Sequence, residues 1–153
     1  MDVMIINALL NSLMNVLSTM AKLTPLPGNP VAKNDDEARG EVSGFMDMEN
    51  DVTKGSMAIS FSPKVIKSLV KTMVGEEIKK VDETAKDLTG ELTNMIVGGA
   101  KAQLAEKGID FAMSTPQVFS GKKHQIKHKY DGQTVILPFD SDCGEFFLEI
   151  NFV

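Results

Sequence analysis

The chain has 153 residues, a length that favours one domain and allows a real hydrophobic core. Its hydrophobic content of 42% is ordinary for a globular protein and excludes a disordered chain. The net charge is -5, and Arg39 is the only arginine, so the composition predicts no nucleic-acid partner. One cysteine, Cys143, excludes an internal disulfide and favours a reducing cytoplasm.

The first twenty residues predict an amphipathic helix on a soluble core, not a signal peptide. Asp2 stands where a signal peptide carries positive charge. On a helical wheel the polar residues share an arc of about 140°. They are Asn7, Asn11, Ser12, Asn15, Ser18 and Thr19, opposite Ile6, Leu9, Leu10, Leu13, Val16, Leu17 and Met20. An interfacial membrane helix is the alternative, but its polar face would carry Lys or Arg. No membrane partner is expected.

The next sixty residues predict a loop, a hairpin and a second helix. Residues 24–39 hold three of the six prolines and then a cluster of charge, which is typical of a loop. Residues 41–48 and 55–61 predict a β-hairpin, and the second strand alternates as a half-buried strand does. Ser62, followed by proline, predicts a helix start, and the helical pattern should end near Gly75.

The longest helical pattern covers residues 81–107 and stops at Gly108, a typical C-terminal cap. Its core-facing half carries Leu88, Leu92, Ile96, Val97, Gly99, Ala100 and Leu104. Its outward half carries Asp87, Glu91, Asn94, Gly98 and Lys101. Because Glu91 and Asn94 are three residues apart, they are neighbours on the outward face. They present hydrogen-bond acceptors and a donor to a docking partner. Spacing alone is also consistent with an ordinary solvated helix face that binds nothing.

Two adjacent glycines interrupt this helix, Gly98 on the outward side and Gly99 on the inward side. Each glycine inside a helix costs roughly 0.8–1 kcal/mol relative to alanine. Because the helical pattern continues beyond them, we expect another backbone to approach closely here.

Beyond the long helix the hydrophobic period changes to two. Residues 109–113, 133–139 and 146–152, with a lysine-rich stretch around Gln125, predict three or four antiparallel strands. The order of elements favours an α+β fold with helices packed on an antiparallel sheet. The halves look like variations on one helix-strand-strand unit, a pseudo-two-fold repeat within one domain, residues 1–153.

The outward residues also match a family motif. Asp87, Glu91 and Asn94 in DLTGELTN, followed by Pro116 in STPQVFSG, resemble the D/S-x3-E-x2-N and downstream proline signature of the CheC, CheX and FliY chemotaxis phosphatases. The segments MDVMIINALL, GSMAISFS and DFAMSTPQVFSG look like the CheX branch in particular. The resemblance therefore covers nearly the whole chain.

The resemblance implies a cytoplasmic enzyme that hydrolyses the aspartyl phosphate of the response regulator CheY. Asn94 is similar to the family's asparagine that orients the attacking water, and Glu91 to its glutamate that pairs with the regulator's lysine. Asp87 and Pro116 are implied to be structural. Mg2+ would lie on the regulator, so the chain would have no cofactor or metal of its own. A homodimer is also implied.

CheC-like relatives carry the signature on two helices and CheX-like relatives on one. In one frame Asn11 falls on Glu91, and in the other Ser12 does, so the N-terminal helix supplies no glutamate. One active site per chain is therefore expected. Two other functions stay open: a module that binds a receiver domain without hydrolysis, and a structural component of the flagellar switch.

His124 and His128 have the spacing of two zinc ligands on a helix, but the sequence offers no third ligand nearby. We therefore expect no metal site. Cys143 lies in a predicted turn without a neighbouring base and is interpreted as a bystander.

Overall fold

The computed structural model describes residues 3–153, so Met1 and Asp2 of the predicted N-terminal helix lie outside the described residues. This part of the chain has the predicted α+β architecture, with helices packed on an antiparallel sheet. The helices are α1 (Val3–Ala21), α2 (Pro63–Met73) and α3 (Glu83–Glu106). The strands are β1 (Leu26–Pro27), β2 (Val31–Lys33), β3 (Val42–Glu49), β4 (Lys54–Phe61), β5 (Ala112–Met113), β6 (Gln117–Ser120), β7 (Thr134–Ser141) and β8 (Gly144–Phe152).

The sheet shows the pseudo-two-fold repeat directly. Its main order is β1-β7-β8-β4-β3-β5, with β2 also on β7 and β6 also on β3. The hairpins β3-β4 and β7-β8 meet at the centre through the antiparallel pair β4-β8. Each hairpin receives two short strands from the other half of the chain: β1 and β2 pair with β7, and β5 and β6 pair with β3. The two halves are therefore interlocked by strand exchange within one sheet.

Helix α1 is a core helix. Its length and composition would suffice to cross a membrane, yet Leu9, Leu13 and Leu17 are fully buried in the core of the fold. Two details of the predicted wheel are wrong. Ser12 is buried, because its hydroxyl donates to the Ile96 carbonyl of α3 at 2.6 Å. Met20 is 48% exposed, while Leu17 and Ala21 are the residues of the last turn that are buried.

The predicted β3-β4 hairpin is confirmed, but β4 is buried on both faces and is not half-buried. The helices cover one face. On the other face, Phe45 and Ala58 pack with Ala38 and Ile126, which lie in two segments joined by the bridge between Glu37 and Gln125. This second layer explains why the polar residues of β4 are also buried.

The short strands correct three other predictions. The predicted loop 24–39 contains β1 and β2, because β7 has an open edge that this segment completes. Within the predicted strand 109–113, only Ala112–Met113 pairs with β3. The lysine-rich stretch forms a single bridge between Gln125 and Glu37, and no strand, because it crosses the second face of the sheet.

The predicted ends of the helices are largely confirmed. Helix α2 begins at Pro63 after Ser62, and the chain reverses at Gly75, which has a φ of 81°. Asp82 caps the N-terminus of α3 by accepting from the Ala85 amide at 3.1 Å, and Gly108 follows its end with a φ of 79°. The outward face predicted for α3 is therefore presented by a continuous helix.

Candidate functional site

The outward face of α3 carries the signature side chains. Asp87, Glu91 and Asn94 are all exposed and lie on successive turns of the helix. Within residues 3–153, none of these three side chains forms a hydrogen bond or ion pair. Their polar groups are therefore available to a partner. We define this surface, together with Gly98, as the signature face.

The helix faces this way because its opposite side lies very close to the sheet. Thr93 packs directly on Gly44 of β3, where a Cβ on Gly44 would lie 1.8 Å from the threonine hydroxyl oxygen. The hydroxyl of Thr93 donates to the Thr89 carbonyl at 2.6 Å, so it is satisfied within the helix. Any side chain at Gly44 would push α3 away. This contact was not predicted, although a glycine inside a predicted strand is the usual sign that another element approaches closely.

A second close contact joins α3 to the strand that follows the signature proline. Pro116 directly precedes β6, whose Val118 packs against α3 at Gly90, with 3.2 Å between an ideal Cβ on Gly90 and the valine methyl. Gly90 is the neighbour of Glu91 in sequence. Pro116, twenty-two residues after Asn94, thus lies two residues before the strand position that contacts α3.

The three glycines of α3 differ in their surroundings. Gly90 faces Val118, and Gly99 faces Ser12 of α1, whose hydroxyl oxygen would lie 2.3 Å from a Cβ at position 99. The close approach predicted at Gly99 is therefore present, although a side chain makes it. A Cβ on Gly98 would have nothing within 4 Å. No contact within the described residues accounts for Gly98, although glycine costs about 0.8–1 kcal/mol there relative to alanine.

Lys101, predicted on the same face, has partners within the chain. Its ammonium group donates to the Asp110 carboxylate at 3.2 Å and to the Phe111 carbonyl. The hydrogen bond from Lys101 lowers the pKa of the Asp110 carboxyl below its usual value of 3.8. Lys101 therefore ties the segment leading to β5 against α3 and is not a free cation on the signature face.

The signature face lies outside two surface cavities of the fold. A surface cavity of about 620 Å³ is lined by residues including Glu49, Asp51 and Asp110, and another of about 560 Å³ by residues including Ile6 and Val135. Neither cavity includes a signature residue. Small-molecule sites are typically concave, whereas an outward helix face fits the surface of another protein.

The corresponding face of α1 lacks the signature. The buried positions of the two helices coincide when residues eighty apart are compared, which places Asn11 on Glu91 and Met14 on Asn94. The coinciding pairs are Ile5/Ala85, Ala8/Leu88, Leu9/Thr89, Ser12/Leu92, Leu13/Thr93, Val16/Ile96 and Leu17/Val97. The structure thus selects one of the two frames that the sequence left open. Of the two related helices, only α3 carries both the carboxylate and the carboxamide.

The two histidines lie on the face of the sheet opposite α3. His128 contacts the Ser56 hydroxyl at 2.6 Å and the Glu149 carboxylate at 3.1 Å, and His124 contacts the Ser43 hydroxyl at 2.7 Å. Across residues 3–153, no three His, Cys, Asp or Glu side chains are grouped so as to hold a metal ion. The histidines therefore belong to the buried polar layer and not to the signature face.

Comparison with known proteins gives consistent matches. The family model described as chemotaxis phosphatase CheX matches residues 42–140. The crystal structure of a CheC-like superfamily protein from Shewanella sp. PV-4 is 48% identical, covers 100% of this chain and 99% of its own, and has a TM-score of 0.92. The crystal structure of the chemotaxis protein CheX from Vibrio vulnificus is 47% identical, and the match covers 97% of this chain and 99% of that protein, with a TM-score of 0.88. The CheY-P phosphatase CheX of Thermotoga maritima is 29% identical over 128 residues, 83% of this chain and 82% of that protein.

Proposed function

Since the chain belongs to the CheX family of chemotaxis phosphatases, we propose that it hydrolyses the aspartyl phosphate of a CheY-type response regulator. The observation that carries this proposal is the pair Glu91 and Asn94, which lie exposed on the outward face of α3 and have no side-chain partner among residues 3–153. The similar protein from Thermotoga maritima is named for the same activity.

Asn94 is proposed to position the attacking water. Its amide oxygen accepts from the water while its NH2 group donates to a phosphoryl oxygen. The water oxygen then bonds to phosphorus, and the bond from phosphorus to the aspartyl oxygen breaks with its electron pair on the aspartyl carboxylate. The products are inorganic phosphate and the free regulator. Because such a reaction requires little covalent chemistry from the enzyme, one well-placed amide contributes most by positioning.

Glu91 is proposed to hold the regulator in register. One turn before Asn94, its carboxylate can pair with a cation beside the partner's phosphorylated aspartate. Such a pair excludes water from one side of the reacting group and orients the partner on the helix. Asp87 and Pro116 then complete the surface around this contact as structural residues.

The Mg2+ ion of the reaction is assigned in this proposal to the regulator, and this chain contributes no cofactor. The proposal also includes a cytoplasmic location, since the substrate is a diffusible signalling protein.

A homodimer is part of the proposal as well. The sheet ends in short strands, with β1 and β2 on one side and β5 and β6 on the other, and edge strands carry unpaired backbone groups. Leu26 and Val31 are 69% and 56% exposed on one of these edges. Light scattering should give twice the chain mass of 16.6 kDa, and a mass of 16.6 kDa would contradict the dimer.

The activity is tested by mixing the purified chain with the CheY-type response regulators of its source organism, each phosphorylated with acetyl phosphate and Mg2+. After removal of the acetyl phosphate, release of inorganic phosphate is measured at one molecule of this chain per hundred of regulator. Release well above the regulator's own rate supports the phosphatase.

Met14→Ala is the matched control for Asn94→Ala, because Met14 is the residue of α1 that corresponds to Asn94. It should release phosphate as fast as the wild type.

Two other results would identify the alternative functions. Binding of the regulator without release of phosphate would identify a receiver-binding module. If the wild type neither binds the regulator nor releases phosphate, a structural component of the flagellar switch is the remaining function.

A further inference from the structure

We infer that Gly98 is a contact point for the docked response regulator, where the partner's main chain approaches the backbone of α3. The inference rests on the proposed function and extends it to a residue that sets how closely the partner can approach. The glycines of α3 differ: Gly90 and Gly99 each lie against a neighbouring side chain, whereas Gly98 has no neighbour in the described part of the chain.

The position of Gly98 supports this role. It lies one turn after Asn94 on the same outward side of the helix, so a partner that contacts Asn94 also covers Gly98. A Cβ at this position would meet open space within the chain, so folding does not require glycine here. The helix continues for two more turns to Glu106, so Gly98 does not end it either.

Glycine is nevertheless a poor residue for the interior of a helix. A position where glycine is unfavourable for folding and unnecessary for packing is explained by an interaction outside the chain. Without a side chain, the α3 backbone is accessible beside Asn94, and another main chain can approach to van der Waals contact. The distance between the two backbones would then determine how far Asn94 reaches into the regulator.

This inference predicts opposite effects on stability and on docking. Gly98→Ala should raise the melting temperature by about 2–4 °C, because alanine favours the helix and meets no neighbour. The same methyl group would lie in the interface and raise KM for the phosphorylated regulator. Gly98→Leu should raise KM at least tenfold and should also lower kcat, because a wider separation of the two backbones draws Asn94 away from the phosphoryl group.

The matched control is Ser18→Leu. Ser18 corresponds to Gly98 on α1, eighty residues earlier, and is exposed. A leucine there adds similar bulk to a helix face without the signature, so KM should stay within twofold of the wild-type value.

The outcomes separate this inference from the proposed function. If the wild type releases phosphate and Gly98→Leu has an unchanged KM, the inference is wrong and the phosphatase stands. If the wild type binds the regulator without releasing phosphate, the proposed activity is wrong, and the contact at Gly98 is then tested by the dissociation constant of the complex. A tenfold weaker complex with Gly98→Leu supports the contact, and an unchanged dissociation constant overturns it. Absence of both binding and release overturns both.

Discussion

Ser12 lies directly over Gly99 where α1 crosses α3. A Cβ on Gly99 would lie 2.3 Å from the Ser12 hydroxyl oxygen and 3.3 Å from its Cβ. The hydroxyl donates to the Ile96 carbonyl at 2.6 Å, so its position is determined by a hydrogen bond as well as by packing. The two long helices can approach this closely only because one contributes a small polar side chain and the other no side chain.

Gly99→Ala should therefore lower the free energy of unfolding by about 1–3 kcal/mol, the usual effect of overpacking. Urea denaturation measures the change, and Gly98→Ala is the control because it adds the same methyl group where space is open. In the variant that also carries Ser12→Ala, the loss should be smaller than the sum of the single losses by more than about 0.5 kcal/mol. A Gly99→Ala protein as stable as the wild type would contradict the close crossing.

Substitution of Asn94 should separate activity from folding. Asn94→Ala and Asn94→Asp should each lower kcat for phosphate release about 100-fold to 1,000-fold, by analogy with loss of one transition-state amide donor. Asp replaces the donating NH2 with a second acceptor, so shape alone should not rescue the rate. Because Asn94 is exposed and unpartnered within residues 3–153, the melting temperature should not change. Wild-type kcat in either variant would refute its role.

Glu91→Gln should act mainly on KM. The substitution keeps the shape of the side chain and removes its charge, so the pair with the regulator's cation is lost. We expect kcat/KM to fall about tenfold or more, which corresponds to about 1.4 kcal/mol, and the fall to shrink as salt is raised. Steady-state kinetics at low and high salt measure this. Asn11→Ala, at the corresponding position of α1, is the control, and equal kinetics for Glu91→Gln and wild type would show that Glu91 is merely solvated.

The buried ion pair beneath the sheet should control stability and not activity. Lys33 and Glu149 pair at 2.8 Å with side chains 1% and 0% exposed, on the face opposite α3. Lys33→Met leaves the buried carboxylate without its ammonium partner and should cost about 3–5 kcal/mol of unfolding free energy. Adding Glu149→Gln should recover part of that loss, because no unpaired charge remains.

Urea denaturation of both variants checks this pair, with Lys71→Ala as the control. Lys71 pairs with Glu77 at 3.1 Å, but both side chains are exposed, so its loss should change the free energy of unfolding by about 0–1 kcal/mol. Phosphate release per folded molecule should stay at the wild-type level in every case. Equal losses for Lys33→Met and Lys71→Ala would contradict the importance of burial.

Local sequence patterns predicted much of the fold and of the candidate site. The 3.6-residue period of α3 predicted that Glu91 and Asn94 face outward, since the apolar residues of this helix recur at helical spacing on the opposite side. The same kind of pattern predicted α1, α2 and the β3-β4 hairpin. The helix boundaries at Ser62 and Gly108 were predicted because they depend on neighbours along the chain, although the Ser62 hydroxyl makes no capping hydrogen bond in the part of the chain described.

The edge strands and the second layer could not be predicted in this way. Strands β1 and β2 have two and three residues, and their hydrogen bonds come from β7, about a hundred residues later. Ser12 looked like a surface residue because its partner, the Ile96 carbonyl, is 84 residues away. Neither the short edge strands nor the burial of Ser12 follows from a hydrophobic period in the neighbouring sequence.

By itself, therefore, the sequence determined which side chains share the outward face of α3, because helical periodicity is set by residues within a few turns. Only the tertiary structure decided that Gly99 lies under Ser12 while Gly98 lies open, and that Asn11 rather than Ser12 corresponds to Glu91. Those facts depend on how two helices eighty residues apart pack against each other and against one interlocked sheet. Packing between distant segments cannot be predicted from the spacing of residues within one segment.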